Sequence, residues 1–181
     1  MHRAKALAVF LGTLLLHGCA SAPGDAGTVS LFDADGAPRF HAYLACVSKT
    51  VNCAIVENAF DRWAEARHVT LDAVPPENEA FAARPSPAAE RNLPYRVTLR
   101  YAPDLSAPDN PLGGGSMKPE ISYTATIHVF DAVTGRLLKS GSYKDRQIID
   151  ASQGSANPYI DAGVRSFIGQ VDRAYAKVAS R

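Results

Sequence analysis

Few residues in this chain of 181 have the type and spacing that chemistry requires. Beyond the N-terminal segment the histidines are His41, His68 and His128. His128 falls on a strand face shared with Thr124 and Thr126, without a local acid or thiol, and reads as a partly exposed sheet histidine rather than a ligand or a general base. Asp33-Ala-Asp35-Gly36 has the opening of a calcium loop, but its glycine comes two positions early and Leu44 stands where a bidentate glutamate is needed. Gly113-Gly114-Gly115-Ser116 lacks the Gly-Lys-Ser/Thr ending and the strand-to-helix context of a phosphate cradle. Gly-x-Ser-x-Gly, His-Glu-x-x-His and Ser-x-x-Lys do not occur, so hydrolysis would need a constellation assembled only by the fold. Trp63 and the tyrosines and phenylalanines at strand and helix spacings read as core. The sequence therefore implies no cofactor and no metal.

The cysteines are more informative. Arg3 and Lys5 precede an apolar and small-residue run, Ala6 to Leu16, which together read as the opening of a secretory signal. At about 1.5 Å per helical residue, that run covers roughly half of a ~30 Å hydrocarbon core, too little for a permanent span. The following residues, Leu16-His17-Gly18-Cys19-Ala20, resemble a bacterial lipobox, with His17 where that pattern usually has a small or apolar residue. The resemblance implies diacylglyceryl attachment to the Cys19 sulfur, removal of residues 1–18 and acylation of the new amino terminus. Several acyl chains hold a protein on a membrane far better than one. An ordinary cleavage site around Ala20 to Ala22 would instead release a soluble secreted protein. Because Ala20, not aspartate, follows the cysteine, the resemblance implies the inner leaflet of the outer membrane, facing the periplasm.

Removing 18 of the 181 residues leaves 163, enough for one compact domain, and takes the formal charge from +1 to −1 by the loss of Arg3 and Lys5. With no basic excess, nucleic acid has no electrostatic footprint here. Cys46 and Cys53 then remain as an even pair in an oxidising compartment, expected to form a disulfide. On one straight helix their Cα atoms would be about 10 Å apart, beyond the ~7 Å limit for bridging, so a bond requires a break near Ser48 to Asn52.

Positioning these residues falls to a small set of elements. Residues 19–27 are the lipidated cysteine and a Pro/Gly-containing tether, and 28–181 a single periplasmic α/β domain. Thr28 to Phe32 reads as a short strand entering a turn at Asp33–Gly36. Phe40 to Val47 fits both strand and helix periods. A helix follows, capped by Asn52 or Thr50, with Cys53, Val56, Phe60, Trp63 and Ala64 as its apolar stripe. Val69 to Val74 is a strand, and Pro75 to Pro94, rich in proline, alanine and charge, is irregular with room for one short helix. Tyr95, Val97, Leu99 and Tyr101 alternate with Arg96, Thr98 and Arg100, predicting a half-buried strand. Ile121 to Phe130 and Arg136 to Gln147 form a hairpin through Asp131–Gly135. Asn157 as N-cap and Pro158 open a last amphipathic helix reaching Val178. The expected fold is an α/β (α+β) two-layer sandwich, a mixed and mostly antiparallel sheet with two main helices packed on it.

This order, with Tyr95-Arg-Val-Thr-Leu-Arg100 before Ile127-His-Val-Phe-Asp-Ala-Val-Thr-Gly-Arg-Leu-Leu138, resembles envelope lipoprotein domains of the TolB amino-terminal, CsgG and LpoB kind over roughly Thr28 to Val178. The resemblance implies a non-enzymatic accessory or assembly factor for another envelope component. An inhibitor or immunity protein against a wall-active enzyme, or an unrecognised hydrolase, are the other readings. Between the two best strands, Ala102 to Pro119 holds four prolines and three consecutive glycines and is expected to be an irregular loop. Leu112, Gly113, Gly114, Gly115 and Met117 are its candidate partner-binding residues. The lipobox yields a direct test. Cys19→Ala is expected to move the protein from the membrane to the soluble envelope fraction, and an unchanged membrane fraction would remove the anchor from consideration.

Overall fold

The computed structural model describes residues 29–106, 118–150, 152 and 154–175. Five strands, β1 (Phe40–Cys46), β2 (Thr70–Ala73), β3 (Tyr95–Ser106), β4 (Glu120–Asp131) and β5 (Leu137–Ile148), form one sheet in the order β2-β1-β3-β4-β5. β1 is parallel to both β2 and β3, whereas β3, β4 and β5 are an antiparallel meander. Helices α1 (Cys53–Arg67) and α2 (Asn157–Val171) pack on one face. The sandwich expected from the pattern is the fold found.

Local chemistry explains the element ends. β1, ambiguous by periodicity, is a strand because it has a parallel neighbour on each side and is buried along most of its length. It ends at Cys46, and Ser48 Oγ accepts from the N–H groups of Thr50 and Val51 at 3.2 and 2.9 Å to turn the chain. Asn52 then caps α1 by accepting from Ala54 N at 3.1 Å. Cys46 and Cys53 thus sit at the two ends of a turn, with Cα atoms 5.6 Å apart and sulfurs bonded. Closing so short a loop stabilises by about 2 to 3 kcal/mol on the chain-entropy estimate.

Several expectations are corrected. Residues 29–32 form no strand, only a single bridge from Phe32 to Pro38. The Asp33–Gly36 turn folds the chain back on itself, and Pro38 has no N–H with which to extend a ladder. Ala156, not Asn157, occupies the cap position of α2, while Ser155 Oγ takes the Asn157 N–H at 3.1 Å. That helix stops at Val171 because Asp172 leaves helical geometry. Its carboxylate accepts from Trp63 Nε1 at 3.2 Å and Arg67 Nε at 2.6 Å, tying the end of α2 to α1. The expected loop beginning at Ala102 is strand as far as Ser106. Past Tyr101, β3 has lost β1 as a partner, and the Pro103 nitrogen points to that vacated edge, the side on which Leu105 N donates to Thr50 Oγ1 at 2.8 Å.

The largest correction concerns β3 itself, which is buried on both faces from Arg96 to Leu99. The irregular segment after β2, with its two short 3₁₀ turns at Glu79–Phe81 and Ala88–Glu90, lies over the sheet face that the helices leave open. Arg96 fastens it. With 1% exposure, its guanidinium donates to Arg84 O and Ala82 O, both at 2.6 Å, and lies 4.6 Å above the Phe130 ring. Burial pulls its pKa below the usual arginine value, with the nearby Arg84 charge acting in the same direction.

The Asp131–Gly135 turn closes against the same segment. Asp131 Oδ1 accepts from Val133 N, Thr134 N and Thr134 Oγ1 at 3.0, 2.7 and 2.8 Å, which holds its carboxyl below the usual range. Gly135, at φ 73°, lies so close to the chain that a Cβ would fall 2.1 Å from the Arg84 carbonyl carbon. Replacing Arg96 by methionine leaves two carbonyls without their charged donor, so Arg96→Met is expected to lower the unfolding free energy by about 2 to 4 kcal/mol in urea titration. The exposed Arg100→Met should change it by less than about 1 kcal/mol, and equal effects at the two positions would refute the clamp.

Candidate functional site

Side chains on the helix-facing side of β3, β4 and β5 build a ladder of three tyrosines. Tyr101 and Tyr123 stack with ring centroids 5.7 Å apart, and Tyr123 and Tyr143 with centroids 6.2 Å apart. Burial first, then the Asp145 carboxylate, pushes the Tyr123 phenol well above its usual pKa, and burial does the same to Tyr101. Tyr123 Oη donates to Asp145 Oδ2 at 3.0 Å, and Tyr143 Oη shares a hydrogen bond with Ser166 Oγ at 2.9 Å. Asp145 also accepts from the Arg146 N–H, and these bonds hold its carboxyl below the usual range.

Helix α2 reaches this ladder because residue 163 is glycine. A Cβ there would lie 2.6 Å from Tyr123 Cε1 and 2.8 Å from Tyr101 Oη. Beside that contact, the last turns of α2 and the β4–β5 pair enclose a cavity of about 220 Å³. Ile127, Val129, Phe167 and Val171 form its apolar walls, with Val29 and Leu31 of the incoming chain, and Lys139 and Gln170 supply its polar groups. Gly141 belongs to the β5 wall, where a Cβ would lie 3.1 Å from Ile127 Cγ2. The volume lies below the roughly 300 to 1,000 Å³ of sites that swallow a whole small molecule. It suits one inserted side chain better than a cofactor.

Of the residues singled out by sequence, Cys46 and Cys53 are brought together, whereas Cys19, Leu112, Gly113, Gly114, Gly115 and Met117 lie outside the described residues. His41 Nε2 meets Asp72 Oδ2 at 2.8 Å on the opposite side of the sheet from the helices, with its ring stacked on Tyr43. His68 ends α1 in the left-handed conformation, at φ 55°. His128 shares a small cleft with Phe81, Thr98, Arg100 and Thr126. Among the described residues no group of three or more His, Cys, Asp or Glu side chains could hold a metal ion, and no helix is long and apolar enough to cross a membrane.

The cavity was missed by sequence reasoning. Its walls come from four separated segments, and the one local signal is Gly141 inside a strand pattern, which marks a close approach or an opening.

The chain matches no protein-family model and no curated protein. Among solved structures it is similar to a minor lipoprotein from Acinetobacter baumannii, at 12% identity and a TM-score of 0.39, covering 71% of this chain and 91% of that one. A lipoprotein from Neisseria meningitidis aligns at 14% identity and a TM-score of 0.37, over 72% of this chain and 97% of the other. A lipoprotein from Nitrosomonas europaea aligns at 12% identity and a TM-score of 0.34, over 77% and 89%. These likenesses assign no residue, ligand or partner.

Gly163→Ala tests the geometry of the ladder. Overpacking a methyl against two stacked rings is expected to lower stability by about 1 to 3 kcal/mol and to perturb the near-ultraviolet tyrosine signal. A neutral substitution would show that α2 does not depend on this approach.

Proposed function

We propose that the protein is a lipid-anchored, non-enzymatic component of the bacterial envelope, held on the inner leaflet of the outer membrane, whose domain binds another envelope component as an accessory or assembly factor. The observation that carries this reading is Cys19 behind its apolar signal, with a short tether to the domain. From Ala20 to Thr28 the chain can reach at most about 30 Å when fully stretched. The domain must therefore sit close to its leaflet.

Three charged groups, Asp172, Arg96 and Asp145, support a binding role over catalysis, because each is engaged in holding elements together. Asp172 joins α2 to α1, Arg96 fastens the covering segment, and Asp145 anchors the tyrosine ladder. In the same reading, the segment carrying Leu112, Gly113, Gly114, Gly115 and Met117 contributes to partner binding.

Whole-cell crosslinking with an amine-reactive reagent, followed by recovery of the tagged mature protein, tests the proposal. A discrete envelope protein is expected with the anchored form and is expected to be lost with Cys19→Ala. Recovery of the same partner in equal yield from the unanchored protein would overturn the role of the tether, and turnover of peptidoglycan by the purified chain would overturn the non-enzymatic reading.

A further inference from the structure

We infer that the free edge of β5, together with the apolar cavity behind it, is a docking groove for an extended acidic peptide segment of the partner, which adds to the sheet as a sixth strand and inserts one apolar side chain into the cavity. This rests on the reading of the domain as a partner-binding envelope protein and names the surface and the chemistry of what it takes.

The backbone sets the geometry. Among the described residues β5 has a strand neighbour on one side only, β4. The Ile149 N–H donates to Pro119 O at 2.8 Å, which makes that pair and the alternate ones, such as Ile121 with Gln147 and Ala125 with Tyr143, the hydrogen-bonded pairs of the ladder. The odd-numbered residues of β5 therefore bond inward to β4. Ser140, Ser142, Lys144 and Arg146 direct their N–H and C=O groups outward, to the open edge. An incoming strand would find evenly alternating donors and acceptors there.

The cavity lies on the helix-facing side of the same strand. Lys139, Gly141 and Tyr143 all line it, as does Ser142 between the last two. A strand laid along β5 would project alternate side chains toward α2. One of these would sit against Phe167 and Val171, beside Gly141 and Ile127.

Charge selects the occupant. β5 carries Lys139, Lys144 and Arg146, all exposed and in none of the ion pairs among the described residues. Its one acid, Asp145, already accepts from Tyr123 and from the Arg146 N–H. A cationic edge of this kind favours acidic side chains flanking the inserted apolar one and disfavours a basic segment.

The test uses the full mature chain with Cys19→Ala for solubility, panned against a displayed random octapeptide library. Enrichment of peptides in which Asp or Glu alternates with apolar residues is expected, with slowed amide exchange along β5 on binding. Ser142→Pro removes an outward N–H without touching the ladder to β4, and Lys139→Glu reverses the charge at the mouth of the cavity. Each should weaken the selected peptides by about tenfold or more, as the loss of one good hydrogen bond or charge contact does. If Ser142→Pro does not fold, Lys139→Glu and the exchange pattern decide. No enrichment, enrichment of basic peptides, or unchanged affinity in the variants would overturn the groove. So would a dimer of the wild-type chain that Ser142→Pro dissolves, since a second copy would then own the edge. Failure here leaves the membrane-dependent crosslink of the preceding section intact, so the two proposals fall separately.

Discussion

The approach of α2 to the tyrosine ladder at Gly163 is the contact on which the rest of the helix-covered face depends. Three stacked rings run across β3, β4 and β5 on that face, and only a residue without a Cβ lets a helix backbone lie against them. Ser166, one turn further along, takes the Tyr143 hydroxyl. Phe167 then meets Phe60 of α1, with ring centroids 6.1 Å apart, so the same helix joins the sheet to its neighbour. The cavity lies beside this contact, between the last turns of α2 and the β4–β5 pair.

The two faces of the sheet are closed by different physics. Helices α1 and α2 bury aromatic and aliphatic side chains, the non-directional contribution that dominates the stability of such a core. The opposite face is covered over β1 and β3 by a segment without long helices, and here directional bonds take over. Arg96 holds two of its carbonyls, Ser86 N donates to Ala132 O at 2.9 Å, and Ala132 N donates to Pro94 O at 3.0 Å. A coil segment has many backbone groups to satisfy and little apolar surface, so a buried guanidinium with its several fixed donors suits the task. Beyond the reach of that segment, β4 and β5 present threonine, serine, lysine and arginine to solvent.

This division leaves the protein's two sheet edges unlike one another. β2 is only Thr70–Ala73, too short to invite pairing. β5 runs the full length of β4, carries Lys139, Lys144 and Arg146, and among the described residues has no strand on its other side.

How much of this was legible in the chain depends on the distance over which each signal acts. Strand alternation at Tyr95–Tyr101 and Ile121–Phe130, the Asp131–Gly135 turn and the apolar stripe of α1 are written within a few residues of where they act, and the sequence by itself determined them, along with the sandwich they build and the cysteine pair that brackets a turn, whereas the choice of Asn52 over Thr50 as the cap of α1 came from the structure. The lipobox resemblance at Cys19 likewise rests on residues 1–20 alone. The burial of Arg96 was decided by tertiary structure, since an alternating strand reads as half-exposed until a segment more than ten residues upstream lies over it. So were the end of α2 at Asp172, where Trp63 and Arg67 recruit the carboxylate across the fold, and the strand assignment of Ala102–Ser106, where a proline is tolerated because its neighbour strand has ended. The cavity and the open edge belong wholly to this second group. Neither exists in any one segment: an edge is defined by which strand has no neighbour, and a cavity by how closely a helix can approach, and both are properties of packing that local periodicity does not carry.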